Sequence, residues 1–323
     1  MKVGLYFDLR NPPGWQQDWQ RLYGFTLEVC EEADRLGIGS LWFSEHHLFS
    51  DGYLNQPLTF AAAVAARTRQ ARLGTAIMVA PIRRAAQIAE EATVVDLVSG
   101  GRLDLGLGTG YRKPEFDLFE ESLIGRYDRT DARVREMRAL WASGTLTPPP
   151  VQDPVPIWLG YQGPKGARRA GVLGEGLLSV NGALLEPYRE GLIAGGHDPA
   201  SARMAGALST FVTDDPERDW PTVAKHVSWQ ADSYRSHMVE GTDQPVPKPV
   251  DADRIRSKGL TTGFHGLLVD TPETVAQQVR DVTQGLPIET VFFWVSIAGM
   301  PEDMVMRHMQ TICNELAPLL ADA

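Results

Sequence analysis

The chain has 323 residues, 43% of them hydrophobic and 22% charged, enough apolar sequence to bury a sizeable core. A formal net charge of -10, with 41 acidic against 31 basic residues and no cluster of Lys and Arg, argues against a nucleic-acid partner and for a small-molecule one. Two cysteines without a partner at metal or redox spacing, a start (MKVGLYFDL) that lacks signal-peptide order and the lack of any membrane-length apolar stretch lead us to expect a reduced, cytoplasmic protein.

Short apolar, β-branched or aromatic runs alternate with Ala-, Glu- and Arg-rich stretches of helical spacing. The first strand is VGLYF (3–7), and GFTLEVCEEADRLG after it reads as a crossover helix closing on Gly37. The second strand, SLWFSEH (40–46), delivers Glu45, His46 and His47 to its C-terminal end, where the active sites of βα barrels are assembled. A metal site is disfavoured there. Ligands from one strand share a face at i, i+2, whereas adjacent histidines point to opposite faces. Glu45, facing inward, reads as a buried carboxylate neutralised by an arginine.

RLGTAIMV (72–79) is the third strand, followed by the helix AAQIAEEATVVDLVSGG, which closes on Gly100 and Gly101. LDLGLG (103–108) runs into GLGTGY (106–111). The latter is no dinucleotide fingerprint, since Tyr111 follows the glycines and no clear helix starts there; its small residues instead let a flat ring approach the backbone. TPPPVQDPVP (147–156) is a loop feeding the fifth strand, PIWLGY (156–161). YQGPKGARRAG (161–171) then turns helical. Free backbone N–H groups around Gly163, Pro164 and Gly166, together with the helix dipole, make an anion site suited to a phosphate, with Lys165 placed to add charge.

LLSV (177–180), MAGALSTFV (204–212) and TVFFWVS (290–296) bring the strands to eight. The expected fold is α/β, a (β/α)8 TIM barrel forming a single domain over residues 1–323. Residues 214–262 form an insertion before the last βα unit, long and partly proline-bearing, which reads as a mobile lid. Trp15, Trp19, Tyr53, Trp229 and Tyr234 fall in strand-end loops or in that insertion and could wall an apolar substrate site.

Taken together, FSEHH, RLGTAIMVAPIRRAAQIAEEATVVDLVSGGRLDLGLGTGYR, PIWLGYQGPKGARRAGVLGEG and the C-terminal strand and helix resemble the bacterial luciferase-like monooxygenase family over nearly the whole chain. The resemblance implies a flavin at the C-terminal mouth of the barrel and reduced FMN, supplied by a separate flavin reductase, reacting with oxygen. It makes His46 the catalytic histidine, a residue that exchanges a proton at neutral pH, with His47 lining the same pocket. It places a non-prolyl cis peptide at Ala76–Ile77 under the flavin ring, with Gly108, Thr109 and Tyr111 beside it. Thr109 departs from luciferase, which carries an arginine there. Arg126, in GRYDRTDARVREM, falls near a second phosphate arginine of the family, and Gln162, Gly163, Pro164, Lys165 and Gly166 correspond to the phosphate loop.

The function expected from this resemblance is a flavin-dependent monooxygenase acting on a small apolar or aromatic substrate. The alternative is an oxidoreductase of the same family that uses a deazaflavin coenzyme and transfers hydride. A flavin-binding barrel without turnover is a third reading, against which the retained EHH argues, and a metal-dependent hydrolase lacks a ligand set. The alanine-rich helix LTFAAAVAARTR can pack against a copy of itself, as in family members, so a homodimer is expected.

Overall fold

In the computed structural model, which describes residues 1–262 and 265–321, the strand-and-helix alternation closes on itself. The strands are β1 (Lys2–Phe7), β2 (Ser40–Phe43), β3 (Arg72–Thr75), β4 (Met78–Val79), β5 (Leu103–Gly108), β6 (Ile157–Leu159), β7 (Gly176–Leu178), β8 (Met204–Leu208), β9 (Thr210–Val212), β10 (Leu268–Asp270) and β11 (Ile288–Trp294). The main sheet runs β3-β2-β1-β11-β8-β7-β6-β5-β4, and pairing of β3 with β5 shuts it into a barrel. Every pairing is parallel, and β3 and β4 share one position, so eight staves form the expected (β/α)8 barrel.

The predicted third strand is interrupted at Ala76–Ile77, whose peptide bond is cis. The predicted run 204–212 also breaks. Ser209 leaves the barrel, its N–H donating to Thr261 O (2.9 Å) and its carbonyl accepting from Leu268 N (3.1 Å), so that β9 pairs with β10 in a separate two-stranded sheet.

The interior of the barrel is filled rather than open. Tyr6, Trp42, Trp158, Ala205, Phe292 and Trp294 form their own buried cluster, with Trp42 stacked on Phe292 at 4.7 Å between ring centres. Two indoles fit this cross-section only against residues with no side chain. A Cβ on Gly74 would overlap the ring of Trp42, and one on Gly176 that of Trp158. These rings floor the mouth above them.

Outside the staves, helix Trp19–Arg35 starts on Asp18, whose carboxylate accepts from Arg21 N, and buries Leu22, Phe25, Val29, Cys30 and Ala33. Helix Ala85–Ser99 stops at Gly100, which takes the left-handed conformation at φ 68°. Helix Pro57–Arg67, expected to meet a second copy of the chain, buries Leu58, Phe60, Ala61, Val64 and Ala65 within its own barrel.

The stretch expected to be a mobile lid is built mainly on one long element. Helix Pro216–Val239 buries Trp220, Val223, Val227, Gln230, Tyr234 and His237, a stripe at helical spacing that packs against the barrel. Its polar sequence hides this stripe because Arg, Asp, Lys and Ser fill the other face. Among the described residues no helix is long and apolar enough to cross a membrane, and no group of His, Cys, Asp and Glu is arranged to hold a metal ion.

Candidate active site

β2 ends at Phe43, and the chain beyond it is held by Ser44 N donating to Phe7 O (3.1 Å) and His46 N to Leu54 O (3.1 Å). The two histidines then diverge, as adjacent residues of extended chain must. His46 turns into the mouth among Phe49, Tyr53, Tyr111 and Tyr234, with ring centres 4.7, 4.8, 5.4 and 5.9 Å away. Its Nδ1 lies 2.7 Å from Glu115 Oε1 and its Nε2 3.3 Å from the Tyr111 hydroxyl. That Glu115 oxygen also accepts from His47 N (3.0 Å) and Arg112 Nη1 (3.1 Å).

These contacts fix the protonation. Burial would raise the Glu115 carboxyl, but the hydrogen bonds from His46 and His47 N, with Arg112 beside it, hold it below the ordinary value. Burial lowers His46 against the pull of Glu115. The consistent state is a carboxylate accepting Nδ1–H from a neutral imidazole, whose Nε2 accepts from the Tyr111 hydroxyl. Glu115 Oε2 is also buried and has no hydrogen-bond partner among the described residues.

His47 does not share this pocket. It was expected beside His46, but its Nε2 lies 2.6 Å from Glu45 Oε1 and its ring meets Phe119 edge-on at 4.8 Å. Glu45 Oε1 also takes Arg83 Nη1 (2.6 Å), the arginine partner expected for it, while Oε2 accepts from Val79 N (2.8 Å). This group clamps the bend between β3 and β4 from behind. From the other side, Ala76 N donates to Phe43 O (2.8 Å) and the Tyr6 hydroxyl donates to Ala76 O. Ile77 fills the clearance of two glycines, since a Cβ on Gly108 or Gly160 would overlap its side chain. The glycine-rich end of β5 thus accommodates protein first: Gly108 makes room for Ile77, and Gly110 for Val79 and Phe116. The Thr109 hydroxyl contacts Gly110 O at 3.2 Å.

The predicted phosphate loop opens helix Gly163–Val172. Gly163 takes φ 68° in open space, Gly166 packs against Tyr161, and Gln162 and Lys165 are exposed. Among the described residues no side chain caps the first turn. Arg126 begins helix Arg126–Ala142 and lies 5.3 Å over the ring of Tyr127, which meets Tyr161 at 5.4 Å just before Gln162. Arg126 Nε is buried without a partner among the described residues. An uncapped helix start with an unsatisfied guanidinium nearby fits a phosphate-bearing cofactor. Arg126, Tyr161 and the loop are therefore brought together by the fold.

Several residues of the mouth escaped the sequence reading. Glu115 and Arg112 flank the start of helix Lys113–Leu118. Arg112, fully buried, donates through Nε to His237 O (3.1 Å), through Nη1 to His47 O and through Nη2 to Glu240 (2.5 Å). Arg10, 3% exposed, pairs with Asp51 and donates to Ser233, under the rings of Phe49, Tyr53 and Tyr234. Asp8 accepts from Trp294 Nε1 and Gln230 Nε2, each at 3.3 Å, and burial pushes its carboxyl up to about 6 although Arg10 opposes the shift. The signal was present in LYFDLRNPP, where Asp8 and Arg10 sit two apart just past a strand end. Of the five aromatics expected as a substrate wall, Tyr53 and Tyr234 reach His46 and hydrogen-bond each other through their hydroxyls. Trp15 packs on His226 at 4.3 Å, Trp229 donates to Asp51 (2.9 Å), and Trp19 is exposed.

A cavity of about 870 Å³ lies at the other end of the barrel, around Lys2, Arg72, Asp104, Arg203 and Glu289. It holds no histidine, and the strand C-termini lie away from it, so the mouth around His46 is the stronger candidate.

Comparison with known proteins gives the family of the barrel. The family model described as luciferase-like monooxygenase matches residues 1–289. The oxygenase component of the flavin-dependent trigonelline monooxygenase of Acinetobacter baylyi is 32% identical over 169 residues, 46% of this chain and 46% of that protein. An F420-dependent glucose-6-phosphate dehydrogenase of Amycolatopsis mediterranei is 28% identical over 306 residues, 87% of this chain and 83% of its own. Among solved structures, the monooxygenase RslO1 from Streptomyces bottropensis superposes with a TM-score of 0.80 at 24% identity, covering 98% of this chain and 99% of that one, which shows the shared fold. With its closed barrel and with residues 1–289 matched, the chain belongs to the luciferase-like monooxygenase family.

Proposed function

We propose that the protein is a flavin-dependent monooxygenase that takes reduced FMN from a separate reductase and oxidises a small apolar or aromatic substrate at the barrel mouth. The observation that carries this reading is the His46–Glu115 pair at 2.7 Å, set inside an aromatic mouth on a barrel of this family. FMN, when bound, supplies oxygen activation. The protein's own part is to bind, orient and manage protons. The uncapped start of helix Gly163–Val172, with Arg126, Gln162 and Lys165, would hold the phosphate, while Ala76, Ile77, Gly108, Thr109 and Tyr111 would border the ring. Neutral His46 accepts or returns a proton at Nε2, Glu115 fixes its tautomer through Nδ1, and Phe49, Tyr53 and Tyr234 exclude water.

A second reading, hydride transfer with a deazaflavin coenzyme, is favoured by the length of the match to the F420-dependent dehydrogenase. A barrel that binds flavin without turnover would have no use for a buried His–Glu pair. The deciding experiment titrates the anaerobic protein with reduced FMN and with the reduced deazaflavin, then follows oxygen uptake on admitting air. Tight FMN binding with oxygen uptake coupled to product supports the monooxygenase, whereas tight deazaflavin binding without oxygen uptake overturns it. We further propose a cytoplasmic homodimer; light scattering at the monomer mass would remove the dimer.

A further inference from the structure

The mouth contains a second polar group that neither His46 nor the phosphate loop uses. It lies where the end of β1 faces helix Pro216–Val239. Asp8 and Arg10 flank Leu9, which takes φ 55° just past β1, and Gln230, Ser233 and Tyr234 fall within about one turn of the helix. Gln230 donates to Asp8, and Arg10 donates to Ser233 and lies 5.0 Å over Tyr234. Arg10 and Gln230 are 3% and 2% exposed. Yet Arg10 Nη1 and Gln230 Oε1 have no hydrogen-bond partner among the described residues. Buried polar atoms are rarely left so, and here an unmatched donor and an unmatched acceptor occur on one strip. Gln230 also borders a small, mostly apolar cavity with Ser209, Val227, Leu267 and Trp294.

We propose that Arg10 and Gln230 form a recognition subsite for a neutral substrate group that both accepts and donates hydrogen bonds, of the primary carboxamide type. A carbonyl oxygen would take the N–H of Arg10 Nη1, and an N–H of the same group would be accepted by Gln230 Oε1. The inference rests on the mouth being the site of oxidation and adds to that reading the polar class of the substrate.

Charge decides between neutral and ionic groups. The guanidinium of Arg10 is already matched by Asp51, at 0% and 1% side-chain exposure. A substrate carboxylate would bring a third acid into a strip that already holds Asp8 and Asp51. An ammonium would face Arg10. Burial raises the Asp8 carboxyl only to about 6, so at pH 7.5 it stands ionised beside the matched Arg10–Asp51 pair, which disfavours a further carboxylate. A neutral amide satisfies both unmatched atoms without adding charge.

The test uses the full-length protein and four probes of similar size: benzamide, N,N-dimethylbenzamide, benzoate and toluene, titrated calorimetrically at pH 7.5 with and without FMN. Benzamide is expected to bind tightest, with N,N-dimethylbenzamide about fivefold weaker for the lost N–H to Gln230, and benzoate and toluene weaker again. In Gln230→Met, of similar length but apolar, benzamide should fall to the level of the dimethyl compound, whose own affinity stays within about twofold. If benzoate binds tightest, if the two amides bind equally to the parent protein, or if none of the four binds, the subsite is wrong. The parent series decides the matter even where Gln230→Met does not fold. Because binding is read without turnover, its failure leaves the monooxygenase reading standing, and absence of oxygen uptake leaves the probe ranking standing.

Discussion

Replacing Glu115 by Gln tests the centre of the mouth while keeping its shape. One oxygen of this residue receives His46, His47 N and Arg112, at 2.7, 3.0 and 3.1 Å, and its side chain is fully buried. At 3.1 Å and an effective dielectric constant of about 20, the charges on Arg112 and Glu115 attract by roughly 5 kcal/mol. Desolvation of two buried groups cancels much of that in the intact protein, but removing one partner leaves the other uncompensated. Among the described residues Arg112 would keep Glu240, half exposed, as its one carboxylate partner, beside the carbonyls of His47 and His237. The amide still accepts a hydrogen bond from His47 N, so we expect a net loss of about 3 kcal/mol rather than the full attraction. His46 is affected as well. Glu115 is the group that raises its proton affinity against burial, so its titration midpoint should fall further below the ordinary imidazole value, and turnover should drop by about 10²-fold. Urea unfolding at pH 7 reads the stability, and NMR of the histidine side chains reads the midpoint. A Glu115→Gln protein within about 1 kcal/mol of the parent, with His46 titrating as before, would refute the assigned hydrogen bonding.

Asp8 gives a pH dependence of defined sign. Its carboxyl is raised from 3.8 to about 6 by burial, so its contribution to stability is present below about pH 4 and is lost as pH rises through 6, at most about 3 kcal/mol. Asp8→Asn should therefore be more stable than the parent at pH 8 by more than at pH 4; equal differences at both pH values would exclude the shift. His46→Ala should still bind FMN yet lose about 10²- to 10⁴-fold in oxidation rate, and unchanged coupling of oxygen uptake to product would remove His46 from the chemistry. If residues 214–262 act as a lid, hydrogen exchange there should slow when reduced FMN and substrate are both present, with the largest change at the exposed segment 241–250 beyond helix Pro216–Val239. Lys165→Ala should weaken FMN binding only slightly, whereas Gly166→Pro, which deletes an N–H of the first helical turn against Tyr161, should weaken FMN far more than riboflavin; equal affinities of the parent for both would move the phosphate elsewhere.

The barrel was legible because its period is written repeatedly. Each stave is a short run bounded by helical spacing, and even the single departures, at Ala76–Ile77 and at Ser209, fall inside runs read correctly as extended chain. The three-residue β10 was missed because LVD carries no period of its own and pairs only with β9. For the site, position along a strand marked Glu45, His46 and His47 together, and the family resemblance singled out His46. Glu115 was not marked, because its partner lies 69 residues away in sequence and only barrel closure brings the start of helix Lys113–Leu118 over the end of β2. The pairing of Arg10 with Asp51 was invisible for the same reason, since a buried ion pair between loops 41 residues apart has no local pattern.

The divergence of His46 and His47 shows what the paired histidines do together. Because neighbouring side chains leave an extended segment on opposite sides, one strand end can serve two carboxylates at once. Glu115 takes the inward histidine and the backbone of the outward one, and Glu45 takes the outward imidazole, Arg83 and the N–H of Val79. The inward pair sets the tautomer of His46. The outward pair fixes the chain just past Ala76–Ile77, so the bend and the imidazole are referred to the same three residues of β2's end. Moving the bend without disturbing His46 would require breaking buried charge contacts on both sides, a cost that gives the mouth its rigidity. Arg112 extends this frame outward. By donating to His47 O and His237 O it joins the end of helix Pro216–Val239 to the same strand end, and that helix carries Tyr234 to His46. The insertion thereby walls the pocket along its helix, and we expect an opening motion in the polar segment beyond Glu240, where hydrogen exchange would read it.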